Sequence, residues 1–245
     1  MTAAGKIVRA TAIVTLITLV VKGLGFAEEV LLAYFFGTGI GVDAYLVAYS
    51  LPFSASIVLQ EAIEASFVPT YLRTWRESKP AALRLFGTVA TLLLVLLGVG
   101  TAVRVLAAVP LVSLTAPGFA GEQSALAERL TRLVVPARLW LGLSTLTTAT
   151  LHAHKRFNLS AVGDASFRAG PPAVLLATGG VMGTAVGVML GALGKLVMET
   201  LGLGRRLPSV RPSIDLGFAP LRTVGRLAAP LLAAFFFSLF VGPLV

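Results

Sequence analysis

Residues 22–69 read KGLGFAEEVLLAYFFGTGIGVDAYLVAYSLPFSASIVLQEAIEASFVP, a segment that is apolar over most of its length. The segment nevertheless carries six charged side chains, which are Lys22, Glu28, Glu29, Asp43, Glu61 and Glu64. A charged side chain at the centre of a bilayer costs about 2.5 to 3.5 kcal/mol in insertion experiments, so such residues usually face a partner or a watery cavity. We therefore expect residues 22–69 to line a cavity inside a membrane protein.

The composition of the whole chain supports a membrane location. Of its 245 residues, 56% are hydrophobic and 13% are charged, and the mean hydropathy is +0.90. About 20 consecutive apolar residues are needed to cross a bilayer, and several segments reach that length. The first of them, residues 6–34, is too long for a cleavable signal peptide. The sequence therefore predicts an all-α polytopic membrane protein.

Turn-forming and helix-breaking residues divide the chain into six long helices and a seventh segment. The six predicted helices cover approximately residues 7–36, 43–72, 85–114, 125–151, 158–176 and 181–203. A seventh helix is expected to begin near Leu227 and to run to the last residue, which is barely enough to cross a membrane. We therefore assign residues 1–226 to a six-helix transmembrane lobe and residues 227–245 to a truncated seventh transmembrane helix.

The basic residues are distributed unevenly along the chain. Most of the 20 Lys and Arg residues precede the first predicted helix or lie in the loops after the second, fourth and sixth helices. The loops after the first, third and fifth helices contain none. The positive-inside rule then places the N-terminus in the cytoplasm, and the basic loops can meet anionic lipid headgroups. Since this explains the net charge of +9, we expect no nucleic-acid partner.

Several short motifs follow one another along the chain. In order they are Leu24-Gly25-Phe26, Phe36-Gly37, Asp43-Ala44-Tyr45, Leu51-Pro52, Phe67-Val68-Pro69, Thr115-Ala116-Pro117-Gly118-Phe119 and Arg156-Phe157. In this order and with this helix spacing, they resemble the MurJ/MviN family of lipid II flippases. The resemblance implies a bacterial exporter of the MOP superfamily, in which two six-helix lobes surround a central cavity. It also implies that the sequence covers lobe one and the start of lobe two, and that the second lobe is missing.

The family resemblance implies a function and a set of cavity cations. The function is transport of a polyprenyl-diphosphate-linked peptidoglycan precursor, lipid II, across the cytoplasmic membrane by alternating access, for cell-wall synthesis. A charged headgroup crosses only if a hydrated cationic cavity holds it. Two positions that are cavity arginines in the family correspond here to Lys22, which keeps the positive charge, and to Glu28, which reverses it. Its basic pair after Leu-Pro falls near Ser56. Arg168 and Arg138, both deep in their predicted helices, could compensate as substrate-binding cations.

The acidic residues of the second predicted helix leave alternatives open. Asp43 matches a family acid for which the resemblance implies a role in the conformational cycle, but it is equally well placed to be a helix N-cap. Glu61 and Glu64 are three residues apart and share a helix face. They could take up protons or a cation during transport, or they could neutralise Lys22 or Arg168. We favour the second, structural interpretation of this pair.

Three further pairs are interpreted as structural. They are Asp164 with Arg168 and Lys195 with Glu199, both spaced four residues apart, and the interfacial histidines His152 and His154. An acid that precedes a base by four residues on a helix favours an ion pair, so we expect Asp164 to pair with Arg168. Adjacent basic residues argue against a metal site at the histidines.

Other functions remain as alternatives. The reversed charge at Glu28 and the neutral Ser56 leave open an exporter of another lipid-linked saccharide or another solute. The missing second lobe leaves open a non-transporting membrane scaffold or a truncated gene product. An enzyme is not expected, because the sequence has no nucleophile elbow or P-loop and no cysteine. We also expect no cofactor.

Overall fold

The structure is a computed structural model that describes residues 3–37, 39–204, 215 and 217–241. The side chains of residues 3–11, 51–58, 231–232 and 234–241 lie outside the description. The described helices are α1 (Ala3–Phe36), α2 (Ile40–Glu77), α3 (Lys79–Leu106), α4 (Ala108–Thr115), α5 (Glu122–Val134), α6 (Ala137–Ala153), α7 (Phe157–Thr178), α8 (Val181–Leu203) and α9 (Ala219–Val241). No strand occurs in these ranges, and the predicted all-α fold is confirmed.

Two of the predicted helices are each broken into two. The third is interrupted at Ala107, because Pro110 has no N–H for the Leu106 carbonyl and its ring crowds the preceding turn. The fourth is interrupted before Pro136, which likewise cannot donate to the Arg132 carbonyl. The sixth predicted helix agrees with α8, and the fifth agrees with α7 to within two residues at each end.

Helix α2 starts earlier than predicted and stays unbroken through two prolines. Its N-cap is Gly39, which makes no side-chain capping hydrogen bond, and Asp43 lies in the first turn with an exposed side chain. The N-cap interpretation of Asp43 is therefore wrong, since the helix has already begun there. A carboxylate in the first turn still interacts favourably with the helix dipole.

Helix α9 begins at Ala219, ahead of the predicted start near Leu227. A proline is tolerated in the first turn, where backbone N–H groups have no partner inside the helix, and Pro220 occupies that place. Arg222, which we predicted in the preceding loop, therefore lies on the helix. Val224 is buried in a core shared with α2, α3 and α6. The domain boundary at residue 226 stays a prediction.

Helices α7 and α8 form the tightest pair because glycines line their contact. A Cβ on Gly170 would lie 2.3 Å from the Gly187 carbonyl oxygen, and one on Gly191 would lie 2.5 Å from the Phe167 carbonyl oxygen. No side chain fits in these spaces. Small residues at a contact between membrane helices allow this kind of close packing.

Two of the described helices, α3 and α8, are long and apolar enough to cross a bilayer. Most of α3 is not covered by protein: its exposed apolar side chains include Leu94, Val95, Leu96, Val99 and Val103. An exposed apolar face of this extent is unusual for a helix in water and suits a helix that faces lipid.

Candidate functional site

A cavity of about 350 Å³ lies between α1, α2, α6, α7 and α8. The residues that line it are Thr18, Val21, Gln60, Leu141, Ser144, Thr145, Thr148, Ala161, Asp164, Phe167, Arg168 and Lys195. Hydroxyl and amide groups alternate with apolar side chains, and two cations and one acid complete the wall. Such a lining can hold water and a charged polar ligand within a membrane domain.

Arg168 on α7 is one of the two cations in the cavity wall. Gly25 on α1 faces it, since a Cβ at Gly25 would lie 4.0 Å from the guanidinium Nη1 atom. The guanidinium also acts electrostatically on Glu28 and interacts with the Tyr49 hydroxyl. Among the described residues it forms no ion pair with a carboxylate at close range. Arg168 thus keeps donors that a ligand in the cavity could use.

Glu28 lies inside the helix bundle and is not among the cavity-lining residues. It is 7% exposed, and its Oε1 atom accepts a 2.8 Å hydrogen bond from the hydroxyl of Tyr45, which is also buried. The bond ties α1 to α2. The Glu28 carboxylate therefore lies behind the cavity wall. It is near enough to attract the Arg168 guanidinium but does not form a close ion pair with it.

A cluster of charges at the cavity wall joins α6, α7 and α8. The ammonium of Lys195 forms ion pairs with Asp164 and with Glu199, the second at 2.9 Å. Glu199 is 0% exposed, and its oxygens also accept hydrogen bonds from Thr147 at 2.5 Å and from Thr148 at 2.8 Å. We will call these five residues the Lys195 cluster. Every charge in it has a close partner, as a buried charge requires.

Asp164 does not form the ion pair with Arg168 that we expected. Its carboxylate bonds to Lys195 on the neighbouring helix instead. The glycine contacts bring α8 so close to α7 that the Lys195 side chain reaches Asp164 more readily than Arg168 does, and Arg168 turns toward α1 and α2. Of the two residues to which we gave no function, Lys195 therefore lies in the cavity wall and Glu199 directly behind it.

The other predicted groups lie outside the cavity lining. Lys22 is exposed on α1, one turn beyond the cavity residue Thr18. Glu61 is exposed as well, and Glu64 approaches His152 Nδ1 at 3.6 Å. The structural interpretation of the two acids needs correcting, because among the described residues neither pairs with Lys22 or Arg168. Helix α2 packs on α6 at this level, which makes His152 the neighbour of Glu64.

Two positions discussed in the sequence analysis remain, Arg138 and Ser56. Arg138 is not among the cavity-lining residues, and its charge interacts with that of Arg104 on α3. Its predicted part in substrate binding gains no support from this position. The side chain of Ser56 lies outside the described residues.

Sequence reasoning missed the hydroxyl wall of the cavity. Ser144, Thr145 and Thr148 all come from α6 and are largely buried. The signal is present in residues 143–150, LSTLTTAT, where hydroxyl residues recur at helical spacing within an apolar helix. Such groups in a membrane helix are expected to face other helices or a cavity.

The two histidines at the C-terminal end of α6, His152 in its last turn and His154 just after it, contact α2. Besides its approach to Glu64, His152 Nε2 lies 3.0 Å from the buried Ser160 hydroxyl. His154 Nε2 lies 3.3 Å from the Tyr71 hydroxyl, and its ring meets that of Trp75 edge to face at 5.0 Å. The loop after α6 therefore lies beside the C-terminal half of α2. The basic residues within 73–84, where α2 ends and α3 begins, and those at 155–156 thus share one end of the bundle. We will call it the basic end.

The backbone is similar to solved transporters of the MOP superfamily. A structure of the lipid II flippase MurJ in an inward closed conformation superposes with a TM-score of 0.73 at 18% identity, over 89% of this chain and 47% of that one. A MOP superfamily transporter from Pyrococcus furiosus, described as having a binding pocket of reverse polarity, gives a TM-score of 0.69 at 17% identity, over 94% and 54%. The fold is that of the N-terminal lobe of a MOP-type transporter.

The sequence comparison narrows the class to one family. The family model for the lipid II flippase MurJ matches residues 32–241, and the chain belongs to this family. A probable lipid II flippase MurJ from Synechocystis is 32% identical over 152 residues, covering 61% of this chain and 28% of that protein. The lipid II flippase MurJ from Burkholderia cenocepacia is 29% identical over 160 residues, covering 62% and 30%. The matched part thus spans less than a third of these relatives.

Proposed function

We propose that this chain forms the first lobe of a flippase that moves a lipid-linked saccharide diphosphate across the bacterial cytoplasmic membrane, with lipid II as the first candidate. Membership of the MurJ family supports the proposal. The observation that carries it is the position of Arg168 in the wall of a hydroxyl-lined cavity, where its guanidinium has no close carboxylate partner among the described residues. Since alternating access requires two parts that rock about a central site, a second lobe would complete the transporter.

Arg168 would bind the diphosphate of the substrate. A guanidinium donates two parallel hydrogen bonds to phosphate oxygens, and bonds of this kind between charged groups are shorter and stronger than neutral ones. The hydroxyls of α6 and the amide of Gln60 can replace water around the sugar hydroxyls. Lys22, one turn beyond Thr18, would supply a point charge at the cavity edge while the headgroup enters.

Lys195 would keep Arg168 available for this purpose. Asp164 lines the same cavity and lies one helical turn from Arg168 on α7. If its carboxylate turned toward Arg168, it would compete with a phosphate for the guanidinium. Because Lys195 holds the Asp164 carboxylate from the neighbouring helix, that competition is reduced. Lys195 is in this sense a positioning residue of the site.

The orientation in the membrane follows from the charges. We propose a multi-pass protein with a cytoplasmic N-terminus, in which the basic end lies at the cytoplasmic surface beside anionic lipid headgroups. A lipid-linked substrate made in the cytoplasm would then first meet the basic end and be carried toward the opposite end.

The test is substitution of Arg168 in the complete protein. We expect Arg168→Ala to weaken lipid II binding in nanodiscs by tenfold or more, since a bond to a charged group contributes about 1.5 to 3 kcal/mol. Arg76→Ala is the matched control, because Arg76 is an exposed arginine in the last turn of α2. Equal binding by the two variants, together with full growth of cells that depend on Arg168→Ala as their flippase, would contradict the proposal.

A second candidate is export of another solute, and the acids near the cavity favour it. Asp164 lines the wall, and Glu28 and Glu199 lie behind it, so the cavity region is far from purely cationic. A binding panel of lipid II, other polyprenyl-linked saccharides and organic cations separates the candidates. Preference for a cation that depends on Asp164 would favour this second function, whereas preference for lipid II that depends on Arg168 would favour the first.

A further inference from the structure

Three buried polar atoms have no hydrogen-bond partner within the described part of the chain. They are the hydroxyl oxygens of Thr101 on α3 and Thr131 on α5, and the Nη1 atom of Arg138 on α6. Buried polar groups in proteins almost always have a partner. Two of the three residues, Thr101 and Arg138, lie on helices α3 and α6, which pack against each other.

The helix register places two of these residues, Thr101 and Arg138, at the same level of the bundle. Helices α3 and α6 run antiparallel, since His154 after α6 contacts Trp75 just before α3. They touch at Leu97 and Gly142, where a Cβ on the glycine would lie 2.2 Å from Leu97 Cδ1. One turn further from the basic end on each helix, Thr101 comes opposite Arg138.

A second arginine extends this group. Arg104 lies one turn beyond Thr101 on the same face of α3, and its charge acts on that of Arg138. Among the described residues, no carboxylate forms an ion pair with either arginine. Like charges repel in an apolar surrounding, so an anion between the two guanidinium groups would relieve the repulsion and satisfy the free Nη1 atom.

The surroundings favour an anion that carries apolar chains. Val103 and Leu106 flank Arg104 on α3 and are 57% and 84% exposed, so a ligand at the arginines would continue along an apolar surface. Arg138 is the second residue of α6, whose other end lies at the basic end. At 1.5 Å per residue it is about 22 Å from that end, which places it near the opposite boundary of a hydrocarbon layer of about 30 Å.

We propose that Arg104, Arg138 and Thr101 form a binding site for the phosphate group of a lipid, at the end of the bundle opposite the basic end. This site is separate from the Arg168 cavity and does not rest on the proposed transport function. A membrane phospholipid and a polyprenyl diphosphate share the chemistry that the site recognises. The arms of the experiment below distinguish them.

The experiment measures thermal unfolding of the complete protein in nanodiscs of four kinds. They contain phosphatidylcholine alone, phosphatidylcholine with phosphatidylglycerol, phosphatidylcholine with a polyprenyl diphosphate, and phosphatidylcholine with inorganic phosphate in the buffer. The variants are Arg138→Gln and Arg104→Gln. Arg129→Gln is the matched control, because Arg129 is an exposed arginine on α5 near the same end of the bundle.

We expect an anionic lipid to raise the Tm of the wild type and of Arg129→Gln. The concentration of that lipid needed for half of the shift should rise roughly tenfold in Arg138→Gln and Arg104→Gln. The lipid that produces the shift identifies the ligand. The proposal is wrong if neither anionic lipid shifts the Tm, if inorganic phosphate alone reproduces the shift, or if Arg129→Gln loses as much as the other variants. If Arg138→Gln fails to fold, the Arg104→Gln variant alone tests the proposal, because Arg104 is only partly buried and its substitution disturbs the packing less.

Discussion

The contact between α7 and α8 and the contact between α3 and α6 both bury charged side chains, but they differ in how those charges are satisfied. Between α7 and α8, Lys195 pairs with Asp164 and with Glu199. Glu199 also accepts hydrogen bonds from two hydroxyls of α6. Between α3 and α6, Arg138 keeps a buried nitrogen that has no partner among the described residues. The first arrangement satisfies its charges within the described part of the protein, whereas the proposed lipid phosphate would complete the second. The presence of a buried charge therefore does not by itself distinguish structure from binding.

The largest expected effect comes from removing Glu199. Glu199→Leu removes the acceptor of the Thr148 hydroxyl and one of the two carboxylates that pair with Lys195. The Thr147 hydroxyl keeps the Ser144 carbonyl as an acceptor. Breaking a buried ion pair on one side destabilises by about 3 to 5 kcal/mol, which thermal unfolding in detergent would detect. Glu29→Leu is the control, since Glu29 is exposed on α1. A similar small loss for both variants would show that the Lys195 cluster contributes no more than a surface charge.

A second prediction concerns the glycine contact that creates the cluster. A Cβ on Gly187 would lie 2.6 Å from the Gly170 carbonyl oxygen, so Gly187→Ala must push α7 and α8 apart. We expect a loss of about 1 to 3 kcal/mol. Gly98→Ala on α3 is the matched control, because a Cβ there meets nothing within 4 Å, and it should be neutral or slightly stabilising. The order of the two Tm values checks the prediction.

A third prediction tests whether Lys195 acts on Arg168 through Asp164. Lys195→Met frees the Asp164 carboxylate to pair with Arg168, and lipid II binding should weaken about tenfold, or about 1.4 kcal/mol. Adding Asp164→Asn removes the competing charge and should restore most of the binding. A double-mutant cycle on the dissociation constants measures this coupling. If the second substitution restored nothing, Lys195 would contact the substrate itself.

The smallest effect is expected at the contact between α3 and α6. Thr101→Val removes a buried hydroxyl that has no partner in the described protein, at nearly the same volume. The stability in phosphatidylcholine should change by no more than about 0.5 kcal/mol or rise slightly, because no hydrogen bond is lost. Thr148→Val, which removes a real bond to Glu199, should cost about 1 kcal/mol or more. Equal losses for the two variants would remove the distinction between the two contacts.

The sequence alone was most informative about where the helices lie and how deep within a helix a residue is placed. The helical rise per residue placed Arg168 deep in its helix, and the structure finds it in the cavity wall. Spacing along one helix was less informative about partners. Asp164 and Arg168 have a favourable local spacing, yet Asp164 bonds to Lys195, because the approach of α7 and α8 depends on glycines distant in the sequence. The neighbour of Glu64 was missed for the same reason, since α2 and α6 meet only in the folded bundle.

The glycine contact between α7 and α8 has a consequence for motion. With backbone atoms of the two helices touching and the Lys195 cluster bridging them, neither helix can slide or rotate past the other without breaking several buried bonds. If the lobe changes shape during transport, α7 and α8 must move together as one rigid body. Arg168 would then travel with the whole pair, so that a small rotation of two helices carries the bound charge without any change of its side-chain rotamer.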